Sequence, residues 1–256
     1  MRWEKRTFDS GGVRLVTRDS GGEGRTVVLV HGLGFGQRSW DRVAPRLSTG
    51  GLRVVTYDQR GHGASDVSED YSPSAFGEDL AAVLGELGLE EPILVGHSLG
   101  ATIVLEHAAS RSGCMGVVCV EGGLPVSLPS MDWEEVEAQM RRPLPRLMTW
   151  AMKMARVGTK LTSEELKGIV EDHDARISDL GVAYERISCP ILMVVGSRAD
   201  PVPRGEEIRE AVSDGARRLS ETHPKMKVEW LPCGHNVPLE RPKELADLIV
   251  GFARSP

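Results

Sequence analysis

A serine flanked by glycines, in Gly96-His97-Ser98-Leu99-Gly100, follows directly on the apolar run PILV. A strand that turns at once into a helix leaves its turning residue in a cramped backbone conformation. Glycines two before and two after that residue let the chains approach closely, so Ser98 would project from the sheet edge as the nucleophile of a G-x-S-x-G elbow. In a chain with 29 glycines, such a short pattern carries weight only if the rest of a serine-nucleophile site stands around it. A hydroxyl attacks poorly until a base takes its proton, so Ser98 needs a histidine, and the histidine needs a carboxylate to orient it. The chain order expected for this elbow is serine, acid, histidine.

Four of the 7 histidines follow Ser98. His107 lies in the helix leaving the elbow, His173 in the stretch read as a lid, and His223 in polar sequence ahead of a strand. His235 falls in LPCGHNVPLERP, directly after the last apolar run, and therefore at the same sheet edge as Ser98. It is the candidate base. A tetrahedral intermediate also needs two backbone N–H groups aimed at its oxyanion. One would come from Leu99 and the other from the turn HGLGFG at 31–36, with Leu33 as donor. His31 and His97 flank these turns and are read as structural hydrogen-bonders.

These residues need a sheet to place them. Apolar runs at 26–30, 53–57, 92–96, 116–120, 190–195 and 226–231 are mostly near-continuous, as strands buried on both faces should be. Helical spacing separates most of them: Phe76, Leu80, Val83, Leu84 and Leu87 run up to Gly88, a helix starts at the elbow, and Pro242 opens a last helix carrying Leu245, Leu248, Ile249 and Phe252. Alternating strand and helix predicts a mainly parallel sheet covered on both sides, with ligands at the carboxyl ends of its strands. The duplicated DSGG at 9–12 and 19–22 brackets VRLVTR and predicts an antiparallel hairpin at one edge.

Between about 122 and 186 no strand is expected, while methionines and tryptophans accumulate. A helical insertion of that composition is what a lid over an apolar pocket would look like, with Met131, Trp133, Met148, Trp150, Met152 and Met154 as candidate pocket residues. The expected division is a core of residues 1–121 and 187–256 with a cap of residues 122–186.

Composition excludes several classes. Hydrophobic content of 40%, charged content of 27% and a net charge of −6 without a basic stripe describe a globular chain with nothing to recommend nucleic acid as a partner. The N-terminus MRWEKRTFDS has no apolar signal region, and no apolar run approaches the roughly 18 residues of a membrane span. The four cysteines show neither CxxC nor metal-ligand spacing and read as small buried hydrophobes. The expectation is a cytoplasmic protein acting on a small molecule, without metal or organic cofactor and without a membrane partner; its oligomeric state is not legible.

Five motifs stand in one order: HGLG at 31–34, YDQRGHGASD at 57–66, VGHSLG at 95–100, GSRADPVP at 196–203 and GHNVPLERP at 234–242. Together they resemble the α/β-hydrolase superfamily, and the resemblance covers nearly the whole chain outside the lid. It implies a mostly parallel sheet of about eight strands flanked by helices, with a helical cap after the sixth strand. Ser98 is the implied nucleophile and His235 the implied base, while Asp58, Arg60 and His62 resemble a structural stretch. The family's usual acid lies about three residues beyond a glycine after the cap. Here Asp200 lies four beyond Gly196. Some members draw the acid from the strand before the cap, where Glu121 ends VVCVEGG; Asp200 is the first candidate and Glu121 the rival.

The chemistry this implies is hydrolysis of a carboxylic ester or lactone of a small, moderately hydrophobic molecule through an acyl-enzyme. Thioesterase or carbon–carbon bond hydrolase activity on the same residues, or a non-catalytic small-molecule receptor of the same fold, are the alternatives.

Overall fold

The computed structural model describes residues 1–111, 113–128, 133 and 158–255. Its eight strands are β1 (Glu4–Ser10), β2 (Val13–Asp19), β3 (Thr26–Val30), β4 (Arg53–Asp58), β5 (Ile93–His97), β6 (Gly116–Val120), β7 (Ile191–Gly196) and β8 (Met226–Leu231). They form one sheet in the order β1-β2-β4-β3-β5-β6-β7-β8. The expected hairpin is present at one edge: β1 and β2 pair antiparallel, joined through Gly11 and Gly12. Both glycines have positive φ, 60° and 87°, the backbone that a two-residue turn needs to follow the strand twist. β2 joins β4 antiparallel, and every later pairing is parallel.

The central strands are near-continuous runs of buried Val, Leu and Ile because helices cover both faces. One face packs against α2 (Pro73–Glu86) and α3 (Leu99–Ser110), the other against α1 (Ala44–Thr49) and α8 (Pro242–Arg254). The last helix buries Leu245, Ala246 and Ile249, on the stripe that sequence spacing predicts. The sixth strand is followed by the insertion, whose described helices are α4 (Ser163–Ala175) and α5 (Ile177–Arg186). α6 (Gly205–Thr222) and the short α7 (Val237–Glu240) complete the chain. No described helix is long and apolar enough to cross a membrane.

Two devices tie the insertion to the core. Ahead of α4, Gly63 N–H donates to the Gly158 carbonyl at 2.9 Å and Lys160 N–H to the Gly61 carbonyl at 2.7 Å. On α4 itself, His173 Nε2 lies 3.0 Å from Thr102 Oγ1 on α3. The loop after β4 that receives the first contact is itself rigid. Asp58 accepts from Gln37 N, Gln37 Nε2 and Ala64 N at 2.7–2.9 Å, and buried Arg60 and Asp79 form a bidentate pair at 2.7 and 2.8 Å. YDQRGHGASD is thus a scaffold that holds the entry to the insertion.

Candidate active site

The elbow begins with backbone. Ser98 follows β5 at φ 53°, ψ −120°, a conformation rare for any side chain larger than glycine. It is held there from both sides, by Ser98 N–H on the Val120 carbonyl and Ala101 N–H on the Ser98 carbonyl, each at 2.9 Å. The flanking glycines are steric necessities. A Cβ at Gly96 would lie 2.1 Å from the Gly100 carbonyl oxygen, and one at Gly100 would lie 2.4 Å from the Val30 oxygen. Gly32, in the HGLG turn, packs so close that an added Cβ would stand 3.1 Å from the Ser98 Cβ. That turn therefore lies directly against the elbow.

Two N–H groups flank the serine with no hydrogen-bond partner among the described residues, those of Leu33 and Leu99. The neighbouring Gly34 N–H, by contrast, donates to His62 Nε2 at 3.2 Å. The adjacent histidines are committed to structure. His31 Nε2 accepts from Gln59 N–H at 3.0 Å, His62 Nδ1 faces the Arg60 carbonyl at 2.8 Å, and His97 Nε2 donates to the His235 carbonyl at 2.9 Å. Burial drives the pKa of His31 down to about 4 and those of His62 and His97 to about 3, so all three are neutral at ordinary pH.

His235 lies in the loop after β8, half-buried, and its two ends are held by two different carboxylates. Its backbone N–H donates to Asp200 Oδ2 at 2.9 Å. Its ring Nδ1 lies 3.2 Å from Glu121 Oε2. Asp200, the first candidate for the acid, thus grips the backbone of His235, and the ring's carboxylate is the rival, Glu121. The physical reason is reach. Asp200 sits in the extended loop beyond Gly196 and comes up beneath Gly234, where a Cβ would collide with Asp200 Oδ1 at 2.2 Å. Glu121 follows β6, the neighbour of the nucleophile's strand, at φ 51°. That backbone turn and the extra methylene of Glu carry its carboxylate beneath the ring.

The Glu121 side chain is buried to within 1% of its surface, and its carboxylate is fully bonded. Oε1 accepts from Gly196 N–H at 2.5 Å and from Arg209 Nη1 at 2.9 Å, and Oε2 from Arg209 Nη2 at 3.0 Å. Burial by itself would raise its pKa. The hydrogen bonds from His235 and Arg209 and the Arg209 charge overcome this and hold it at about 2. An ionised carboxylate only accepts, so the proton between it and His235 belongs to Nδ1, and Nε2 is left as the basic nitrogen. Ser98 Oγ makes no hydrogen bond among the described residues, and its chain carbonyl is packed against Gly122, beside Glu121.

Arg209 is the residue that sequence reasoning missed. A signal was present, since Arg209, Val212, Ala216 and Leu219 share the buried face of α6. A guanidinium on an apolar helix face requires a buried carboxylate opposite it. Of the six candidate pocket residues in the insertion, Trp133 is half-buried, and Met131, Met148, Trp150, Met152 and Met154 lie outside the described residues. A small apolar cavity of about 20 Å³, room for about one water molecule, lies beside the elbow between Tyr71, Phe76, Leu99, Ile103, Ile169 and Leu180, with the Thr102–His173 pair in its wall. No group of three or more His, Cys, Asp or Glu side chains among the described residues is gathered for a metal ion.

Comparison with known proteins places this geometry among relatives. The chain is 36% identical over 107 residues to a non-heme haloperoxidase of Rhodococcus erythropolis, covering 40% of this chain and 39% of that protein. It is 36% identical over 104 residues to epoxide hydrolase A of Mycobacterium tuberculosis, covering 39% and 32%. The chain thus spans about a third of the length of the curated relatives it matches. Among solved structures, an esterase from Exiguobacterium antarcticum superposes with a TM-score of 0.74 at 20% identity, over 95% of this chain and 97% of that one. A bromoperoxidase from Bacillus anthracis does so at 0.74 and 22% identity, over 99% and 100%. At such identities the superpositions establish the fold. Because the alpha/beta hydrolase family model matches residues 27–248, from β3 into the last helix, the chain belongs to the alpha/beta hydrolase family.

Proposed function

We propose that this protein is a serine hydrolase that cleaves a carboxylic ester or lactone of a small, moderately hydrophobic molecule. Ser98 attacks the carbonyl while His235 Nε2 takes its proton, and Glu121 holds the ring and stabilises the imidazolium that forms. The Leu33 and Leu99 N–H groups receive the oxyanion. Water, activated by the same histidine, then releases the acyl group. Asp200 fixes the backbone of His235 and takes no part in proton transfer.

The observation that supports this reading best is the contact between His235 Nδ1 and the ionised Glu121 beside a serine in elbow geometry. The serine also argues against epoxide opening, despite the name of one relative. A serine attack on an epoxide would leave an ether, which water cannot cleave through a carbonyl, whereas an acyl-serine hydrolyses readily.

The test is initial rates on p-nitrophenyl esters and on aliphatic and aromatic lactones, with wild-type and Ser98→Ala protein side by side. The expected result is turnover in the wild type that falls by at least about 10⁴-fold in the variant. Equal rates from both proteins, or no turnover of any of these substrates by the wild type, would refute the assignment.

A further inference from the structure

None of the four cysteines has a part in the chemistry above. Cys119 and Cys233 are buried, whereas Cys114 and Cys189 are half-exposed, and their Sγ atoms lie 3.4 Å apart. Cys114 stands just before β6 and Cys189 just before β7, so the parallel pairing of these strands brings them together at the amino end of the sheet. They are 75 residues apart in sequence, and the whole insertion lies between them. The pair faces a surface cleft lined by Ser110, Arg111, Gly113, Arg186 and Ser188. Neither Arg111 nor Arg186 has a carboxylate partner among the described residues.

We propose that Cys114 and Cys189 form a thiol-exchange site for an anionic low-molecular-weight disulfide, which converts them into a disulfide at the root of the insertion. The two guanidinium groups attract the anion, and the open cleft admits it to the thiols. The first attack falls to Cys189. Lys225, whose Nζ donates to the neighbouring Ser188 carbonyl at 2.6 Å, favours the Cys189 thiolate, and the Cys114 thiol at 3.4 Å is placed to donate to it. The same hydrogen bond, with burial, pushes the Cys114 thiol up. The Cys189 thiolate attacks one sulfur of the small disulfide, a mixed disulfide forms, and one small thiolate leaves and takes up the proton that Cys189 released. Cys114 then loses its proton, attacks Cys189 Sγ and expels the second small thiol. Two electrons pass to the small disulfide, which departs as two thiols.

The experiment uses the folded full chain in buffers of fixed ratio of glutathione disulfide to glutathione. Free thiols are titrated, and unreduced peptides are mapped by mass spectrometry. Oxidation should remove two of the 4 thiols, join the peptides that carry Cys114 and Cys189, and reverse with dithiothreitol. Cystamine, a cationic disulfide, should react at least about tenfold more slowly at low salt, and Arg111→Gln with Arg186→Gln should narrow that gap. The wild-type map needs no cysteine variant that must fold. Both thiols remaining free, a mixed adduct at Cys189 that persists without the crosslink, or equal rates with the anionic and cationic disulfides would each overturn the proposal.

Discussion

At the scale of single residues, two carboxylates meet one histidine and divide the work by geometry. Glu121 meets the ring and Asp200 the backbone. Glu121→Gln should therefore lower kcat on the order of 10²- to 10⁴-fold, because an amide can no longer stabilise the imidazolium. It should also cost about 3 kcal/mol of stability, since Arg209 is left buried without its charge partner. Asp200→Asn, which keeps an oxygen for the His235 N–H, should stay within about tenfold of wild type. Steady-state kinetics and urea unfolding of both variants decide this; the opposite ranking would restore Asp200 as the acid. The elbow residue carries a different signature. Relief of the positive φ should make Ser98→Gly more stable than Ser98→Ala by about 1 kcal/mol. Identical urea midpoints would show that the elbow is unstrained.

At the scale of elements, the elbow works because β5, α3 and the HGLG turn approach one another without side chains between them. Gly96→Ala would place a methyl 2.1 Å from the Gly100 oxygen, which α3 cannot vacate without lifting off β3. The expected cost is about 3 kcal/mol or more, read as a lowered denaturation midpoint. Gly77→Ala on α2 is the control. Nothing lies within 4 Å of a Cβ there, so this substitution should be neutral or stabilising, because alanine favours the helix. If both variants unfold at the wild-type midpoint, close packing does not hold the elbow.

At the scale of the whole molecule, the site carries a pH dependence that the fold must absorb. His31, His62 and His97 are neutral in the folded state, with pKa values depressed to about 4, 3 and 3. In the unfolded chain they take up protons near 6.5. Between those values the unfolded state binds more protons, so stability is full above about pH 6.5 and falls as the pH drops. The three together set a limiting slope of about 4 kcal/mol per pH unit. Glu121 adds a second acid loss, present above 4.5 and surrendered as the pH falls toward about 2. Urea unfolding across this range should show stability declining from about pH 6.5 downward. A profile flat from neutrality to about pH 5 would mean that these imidazoles are not desolvated.

Much of this was determined by sequence alone. The six apolar runs became strands and Ser98 became the turning residue, because burial on two faces and crowding at the elbow are local demands written in residue type and spacing. The position of His235 at the same sheet edge follows from its place after the last strand, which chain order supplies. What tertiary structure decided is which carboxylate meets the His235 ring, that Arg209 clamps it, and that Cys114 and Cys189 stand together. The sequence ranks Asp200 ahead of Glu121, and both end up beside His235. The difference between ring and backbone contact depends on a positive φ at Glu121, the overshoot of the loop after β7 and one methylene. Distances of that kind are set by how strands register across the sheet, and no run of neighbouring residues encodes them.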